Sequence, residues 1–181
     1  VAYGTQTTGS IIRPGAYCGV VAVKPTYGLI NRSGVKELSD FLDTVGYYTR
    51  TVEDAALFLQ VVGNYPPTDF AELLGLKPRI AICRTPKWDR AHNETINLFE
   101  GLGTKLRAAG AETRDLVLPR EFDYLAEAQA VINEYESVRA LAYERVNYYS
   151  DLSPELRLRF ERSQTHTYQD RLNAIDISKR C

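Results

Sequence analysis

The chain has 181 residues, of which 44% are hydrophobic and 25% charged, values typical of soluble globular domains and unlike those of disordered chains. Its 22 basic and 23 acidic residues nearly cancel, which argues against a general nucleic-acid binder. No apolar stretch reaches about 18 residues, so no membrane association is expected. Cys18, Cys83 and Cys181 are widely spaced and only two histidines occur, so we expect no disulfide framework, no metal site and a reducing, cytoplasmic setting.

Residues 1–62 open with a strand that leads into a glycine-rich turn. Because the first residue is Val1 and no Met is present, we expect a piece of a longer polypeptide. The run Val20–Val23 predicts a buried strand, and a further short strand is expected near Val45–Tyr48. Thr51 is a predicted N-cap, and the apolar helix that follows it over 52–62 is expected to be largely buried.

Residues 63–121 contain a predicted strand, helix and strand. Arg79–Arg84 is the first strand, and a helix capped by Asn93 is expected to run to about Ala109. Gly110 suits the position just past its end. Glu112–Leu118 reads as the second strand. The short connections favour a βαβ unit with parallel strands.

Residues 122–181 are predicted to be helical. One helix is expected over Phe122–Tyr149, and a second begins with Ser153 as N-cap and runs toward the C-terminus. The first helix carries an apolar stripe formed by Leu125, Ala128, Ile132, Tyr135, Val138, Ala142 and Val146. Such a stripe needs an apolar cover, so we expect self-association through this half or partial exposure of the stripe. The fold class predicted for the chain is α/β, part of a mixed β-sheet flanked by helices, with a helical C-terminal half.

The densest chemical feature is the run Gly4-Thr-Gln-Thr-Thr-Gly-Ser-Ile-Ile-Arg-Pro14. A turn of small residues that exposes Ser10 can present its hydroxyl as a nucleophile and direct backbone N–H groups at a developing oxyanion. Gly9 lets the backbone bend just before the serine. The same residues are also compatible with a phosphate-binding turn or with a plain strand-to-helix connection.

This run resembles the hallmark of the amidase signature family, roughly G-T-D-T-G-G-S-I-R-x-P-A followed by C-G-V-V-G-x-K-P-T-x-G. The downstream blocks 42–46 and 49–56 resemble that family as well. The matching positions of the hallmark are Gly4, Thr5, Thr7, Gly9, Ser10, Ile11, Pro14, Cys18, Gly19, Val20, Val21, Lys24, Pro25, Thr26 and Gly28.

The resemblance implies a serine hydrolase that acts on a small-molecule amide, without metal or organic cofactor, on a large mixed sheet covered by helices. Ser10 would be the acylating nucleophile, and the backbone N–H groups of Thr7, Thr8, Gly9 and Ser10 would line the oxyanion hole. The family completes a Ser-Ser-Lys triad with a bridging Ser and a general-base Lys that lie upstream of the hallmark. We therefore expect residues 1–181 to be a single partial domain that is inactive in isolation.

The sequence departs from the hallmark at three positions, and these departures bear on the geometry of the oxyanion hole and on the substrate subgroup. Gln6 stands where the family has Asp, and it keeps an orienting role through hydrogen bonds. Thr8 replaces a Gly and narrows the turn with a β-branched side chain. The hallmark Arg is displaced by one position, to Arg13.

Three other residues near possible chemistry are interpreted as structural. Lys24 is the Lys of the K-P-T block, Cys18 is expected to be a buried small hydrophobe, and His166 is expected to be solvated or to cap a helix.

Two alternative functions stay open. One is the ammonia-releasing A-type subunit of a tRNA-dependent amidotransferase, the only case in which a nucleic-acid partner is expected. The other is a non-catalytic interaction fragment.

Overall fold

The computed structural model describes residues 1–67, 69–73 and 75–181. Its strands are β1 (Ala2–Gln6), β2 (Val21–Val23), β3 (Thr44–Thr49), β4 (Arg79–Cys83) and β5 (Glu112–Leu116). Its α-helices are α1 (Ile12–Cys18), α2 (Val52–Gly63), α3 (Asn93–Ala108), α4 (Leu125–Ala140), α5 (Ala142–Asn147), α6 (Pro154–Ser163) and α7 (Tyr168–Arg180). Strands and helices are interspersed along the first two thirds and only helices follow, which confirms the predicted α/β class.

The chain folds as two compact units. The first unit joins Val1–Thr68 to Leu125–Arg180, and the second comprises Asp69–Tyr124 together with Cys181. The N-terminal stretch and the helical C-terminal stretch therefore share one body, although more than 50 residues separate them in sequence. That 1–181 forms one partial amidase domain stays a prediction.

The first unit contains an antiparallel sheet with the strand order β1-β3-β2. The strands predicted at the start of the chain and near Val45–Tyr48 are confirmed as β1 and β3. Strand β2 forms where the run Val20–Val23 predicts a strand, but it is a half-buried edge strand and not the buried strand that was expected. An edge strand has a neighbour on one side only, so its β-branched residues stay partly accessible. The central strand β3 is almost wholly buried and carries the fully buried Tyr47.

Helix α2 packs one face onto this sheet. Thr51 caps it as predicted, because its hydroxyl accepts a hydrogen bond from the Asp54 N–H at 3.1 Å. Ala55 and Phe58 pack around Tyr47, but Leu57 and Val61 on the opposite face are exposed. The expectation of a largely buried helix is therefore wrong, since a helix on one side of a sheet buries only the side chains that face it.

The second unit is the predicted strand-helix-strand motif. Strands β4 and β5 pair in parallel, with Ile80 opposite Thr113. Helix α3 approaches the sheet at the buried Gly103, where a Cβ atom would lie 2.8 Å from the Ile82 side chain. The helix begins at Asn93 with His92 in the N-cap position, one residue earlier than predicted, and it ends before Gly110, whose φ is 93°.

The helical half is more divided than the sequence pattern suggests. The single helix predicted over Phe122–Tyr149 is interrupted at Leu141, where φ is −102° and ψ is 23°, giving α4 and α5. Ser153 caps α6 as predicted, through its side chain and the Leu156 N–H, but α6 ends at Ser163 and α7 starts separately.

The apolar stripe is covered over α4 and exposed on α5. Ala128 and Ile132 are buried against Ala174 of α7 and against Phe41, so the chain itself supplies much of the cover. Val146 at the far end of the stripe is 73% exposed. Self-association through this half stays a prediction.

Candidate active site

Ser10 lies at the end of the turn that joins β1 to α1. The turn is attached to the core immediately after the serine, because the Ile11 side chain is fully buried while Ser10 is exposed. Tyr48 of β3 donates a hydrogen bond from its hydroxyl to the Ser10 carbonyl oxygen at 3.2 Å. The backbone of Ser10 is therefore held on both sides, and its hydroxyl stays accessible.

Gln6 holds the start of α1. Its side-chain oxygen accepts hydrogen bonds from the Ile11 N–H at 2.9 Å and from the Ile12 N–H at 3.1 Å. An amide oxygen can accept two hydrogen bonds as a carboxylate oxygen does, so this contact survives without a negative charge. The geometry is compatible with the orienting role predicted for Gln6, which acts on the backbone that follows Ser10.

Thr7 ties the other side of the turn to a buried carboxylate. Its hydroxyl donates to Asp43 Oδ1 at 2.6 Å. The second oxygen of Asp43 accepts hydrogen bonds from the backbone N–H groups of Leu38, at 2.7 Å, and Ser39, at 3.0 Å. Asp43 is 7% exposed, and its three donors compensate for burial of the carboxylate.

Thr8 joins the turn to the helical half of the first unit. Gln129 of α4 donates a hydrogen bond from Nε2 to the Thr8 hydroxyl oxygen at 2.6 Å. The two residues are 121 positions apart, so only the tertiary packing of the first unit brings them together. No sequence pattern predicts this contact.

The backbone N–H groups of the turn are available to a ligand. In the described part of the chain, no hydrogen bond is donated by the backbone N–H of Thr7, Thr8, Gly9 or Ser10. Gly9 does not adopt a positive φ, and a Cβ atom there would meet no described atom within 4 Å. The backbone does bend over residues 7–9, as predicted, but the bend does not need the positive φ that favours glycine, and Gly9 has open space beside it.

A cleft of about 620 Å³ adjoins this turn. Thr7, Thr8 and Ser10 form one wall, and residues of α4 and α6 form the other. Charged groups line it, and none of the described lining residues is a lysine. The charged lining residues are Arg13, Glu134, Glu155, Arg159 and Arg162.

The three residues that the sequence analysis interprets as structural can now be compared with their positions in the structure. Lys24 donates from Nζ to the Pro25 carbonyl at 2.8 Å and does not line the cleft, which fits a structural role. Cys18 is exposed, so its interpretation as a buried hydrophobe is wrong; it closes the short helix α1 at the surface. His166 is half-buried and its Nε2 lies 2.9 Å from Glu134 Oε2, so it is neither solvated nor a cap.

Sequence reasoning missed the buried polar network behind the turn. Glu136 of α4, 7% exposed, accepts hydrogen bonds from the Ser39 hydroxyl and from the Phe41 N–H, and it pairs with Arg171 of α7. Asp43 lies in the block 42–46 that resembles the family, which is a signal that could have identified it. Glu136 has no such signal, because an isolated Glu in a helix usually faces solvent.

Among the residues that the structure describes, no group of three or more His, Cys, Asp or Glu side chains is arranged to hold a metal ion. None of the helices described is long and apolar enough to cross a membrane.

Known proteins of similar sequence and structure identify the family. The family model described as Amidase matches residues 1–176. The chain belongs to the amidase family. Among curated members, it is 35% identical over 162 residues to the A-type subunit of the glutamyl-tRNA(Gln) amidotransferase of Gloeothece citriformis, covering 82% of this chain and 33% of that protein.

Solved amidase structures share the fold. One crystal structure of an amidase matches with a TM-score of 0.87 and 27% identity, over 98% of this chain and 40% of the other. The peptide amidase from Stenotrophomonas maltophilia matches with a TM-score of 0.62 and 28% identity, over 95% of this chain and 40% of the other. The chain thus spans about a third of the length of the curated amidase-family relatives it matches.

Proposed function

We propose that this chain carries the nucleophile and oxyanion turn of an amidase. Ser10 Oγ attacks the carbonyl carbon of a small-molecule amide, and the C–N bond then breaks to leave an acyl ester on Ser10. The serine proton passes to the departing nitrogen, which leaves as ammonia or an amine. Water then hydrolyses the ester and frees Ser10. No cofactor is required by these steps.

The observation that supports this proposal is the arrangement of the turn around Ser10. An exposed hydroxyl lies beside four backbone N–H groups that have no acceptor in the described structure, and three of the four residues, Thr7, Thr8 and Ser10, line a cleft. Backbone N–H groups held in place before the reaction stabilise a developing oxyanion at little reorganisation cost. Gln6, Thr7 and Tyr48 hold these groups through the hydrogen bonds described above.

The proton-transfer groups are proposed from the family resemblance. A Lys that acts through a bridging Ser would remove the Ser10 proton, because a serine hydroxyl is a weak nucleophile without an adjacent base. The cleft described here contributes arginine and glutamate side chains and no lysine among its described lining residues. Arginine stays protonated at neutral pH and cannot take this role.

A second candidate function is supported by the curated relatives. Several of them are A-type subunits of glutamyl-tRNA(Gln) amidotransferases, at 33–37% identity. In that case the same Ser10 chemistry would release ammonia from an amide donor inside a complex with other chains. Glutaminase activity that rises when such partner chains are added would favour this function over a free-standing amidase. A cytoplasmic location is proposed with either function.

The test is a Ser10→Ala variant of the intact protein. Ammonia release from acetamide, propionamide, benzamide and glutamine identifies an amide that the wild-type protein hydrolyses. We expect Ser10→Ala to lower kcat by more than about 10³-fold while leaving the unfolding transition unchanged, because the exposed hydroxyl contributes little packing. Ser33→Ala, on an exposed loop residue outside the cleft, is the matched control and keeps wild-type activity. Near-normal turnover by folded Ser10→Ala protein would rule out Ser10 as the nucleophile.

A further inference from the structure

The contact between Thr8 and Gln129 distinguishes this chain from the hallmark it resembles. The hallmark has Gly where Thr8 stands, and a glycine has no side chain to accept a hydrogen bond. Here the Thr8 hydroxyl oxygen accepts from Gln129 Nε2 at 2.6 Å, and both residues line the cleft beside Ser10. The substitution in the turn and its partner on α4 therefore form one structural feature.

Gln129 is attached to a rigid support. Its helix α4 packs extensively on α7 and carries Glu136, whose carboxylate binds the Ser39 hydroxyl, the Phe41 N–H and Arg171. Ser39 in turn donates its backbone N–H to Asp43, which holds Thr7. The turn is thus fixed to the same scaffold at two adjacent residues, by Thr7 through Asp43 and by Thr8 through Gln129.

We propose that the Thr8–Gln129 hydrogen bond positions the oxyanion turn, which makes Gln129 a positioning residue for the reaction at Ser10. This inference rests on the proposed function. The backbone N–H of Thr8 belongs to the same residue as the hydroxyl that Gln129 holds, so fixing the side chain restricts rotation of the peptide group. Displacement of a catalytic group by about 1 Å can cost a factor of 100 in rate.

Three variants separate the hydrogen bond from the shape of the side chain. Thr8→Val keeps the β-branched shape and removes the acceptor, Gln129→Leu removes the donor, and Thr8→Ser keeps the acceptor while removing the methyl group. Gln169→Leu is the matched control, because Gln169 is an exposed helical glutamine whose Nε2 donates to Asn173 at 2.9 Å, away from the cleft.

Two measurements on the intact protein report on the turn. One is kcat and KM for the best amide of the panel, and the other is the second-order rate constant for labelling of Ser10 by a fluorophosphonate, whose phosphonyl oxygen occupies the oxyanion position. We expect Thr8→Val and Gln129→Leu each to lower kcat and the labelling rate about tenfold, with KM changed less than about twofold, as for an interaction that acts in the transition state. The double variant should lose no more than either single one. Thr8→Ser, which keeps the acceptor, should lose clearly less than Thr8→Val, and the control Gln169→Leu should stay near wild type.

Wild-type kcat and labelling in folded Thr8→Val and Gln129→Leu proteins would overturn the inference, and so would additive losses in the double variant. Equal unfolding transitions of the variants show that a loss of rate is not a loss of folded protein. The Ser10→Ala result separates the two proposals. If Ser10→Ala is inactive while the Thr8 and Gln129 variants are fully active, the proposed function stands and the positioning role fails.

Discussion

Ile11 packs directly against Gly46. A Cβ atom on Gly46 would lie 2.6 Å from Ile11 Cδ1 and 2.2 Å from the Val23 carbonyl oxygen, so the central strand has room for the isoleucine only because residue 46 has no side chain. Since Ile11 follows Ser10 directly and is fully buried, this contact sets the depth at which the turn is attached to the sheet.

Gly46→Ala is expected to destabilise the protein by about 2 kcal/mol or more, because the added methyl group meets backbone atoms that cannot move aside. Gly101→Ala is the matched control. A Cβ atom at Gly101 in α3 meets no described atom within 4 Å, so this change should stabilise by about 0.5–1 kcal/mol. Urea unfolding of both variants measures the difference. Equal stability of Gly46→Ala and wild type would show that Ile11 does not pack as described.

Arg171→Met should be strongly destabilising, because it leaves the buried Glu136 carboxylate without its cationic partner. We expect a loss of about 3 kcal/mol in the free energy of unfolding. Arg180→Met, which removes an exposed arginine from the same helix and a 3.6 Å pair with Asp176, should change stability by less than about 1 kcal/mol. Adding Glu136→Gln to Arg171→Met should recover part of the lost stability, because it removes the unpaired charge. A further loss of stability in the double variant would contradict the unpaired Glu136 charge as the cause.

Acid should loosen the start of α7 through Asp170. The Thr167 hydroxyl, at 2.6 Å, and the Thr167 N–H, at 2.8 Å, both donate to Asp170 Oδ2 and hold the pKa of this carboxyl below its usual value. A carboxyl whose pKa is lower in the folded state stabilises the fold above its unfolded pKa, and the stabilisation is lost as the pH falls through the folded pKa.

Hydrogen exchange of the α7 amides, followed from pH 7 to below about pH 4, measures this effect, because the ordinary pKa of an aspartate lies near pH 4. Asp170→Asn should exchange faster than wild type at pH 7, and the difference should shrink as the pH falls. Asp176→Asn removes the same charge from α7 without touching Thr167 and serves as the control. A difference between Asp170→Asn and wild type that is independent of pH would contradict the assignment.

Substitutions in the apolar stripe should affect stability strongly at buried positions and weakly at exposed ones. Ile132→Ala opens a cavity in a fully buried site and should cost about 3 kcal/mol. Val146→Ala changes a side chain that is 73% exposed and should alter the free energy of unfolding by less than about 0.5 kcal/mol.

Light scattering of the intact protein tests self-association separately. If this surface joins two copies, Val146→Ser lowers the associated fraction, and an unchanged fraction excludes Val146 from the contact.

Local signals in the sequence predicted several of the element ends. Thr51 and Ser153 have hydroxyls that accept hydrogen bonds from N–H groups three residues ahead, and Gly110 takes the left-handed conformation that follows a helix. Each of these depends on atoms within a few residues, so the order of residues suffices. The pair Thr167 and Asp170 at the start of α7 is an equally local signal, which the pattern of apolar residues alone does not reveal.

Burial and long-range polar contacts depend on packing. The sequence cannot tell that β2 lies at an edge, that α2 exposes Leu57, or that α7 covers Ile132, because these facts depend on which elements become neighbours.

By itself, the sequence determined the α/β class, the βαβ unit, the caps at Thr51 and Ser153 and the position of Ser10 in a turn between a strand and a helix, since hydrophobic periodicity and hydrogen bonds within a few residues specify all of these. The tertiary structure alone decided that Asp43 binds Thr7, that Gln129 binds Thr8 and that Glu136 is buried with Arg171. These contacts join residues 35 to 121 positions apart. Such pairs meet only once the tertiary structure has formed, and the buried polar groups then require one another as partners.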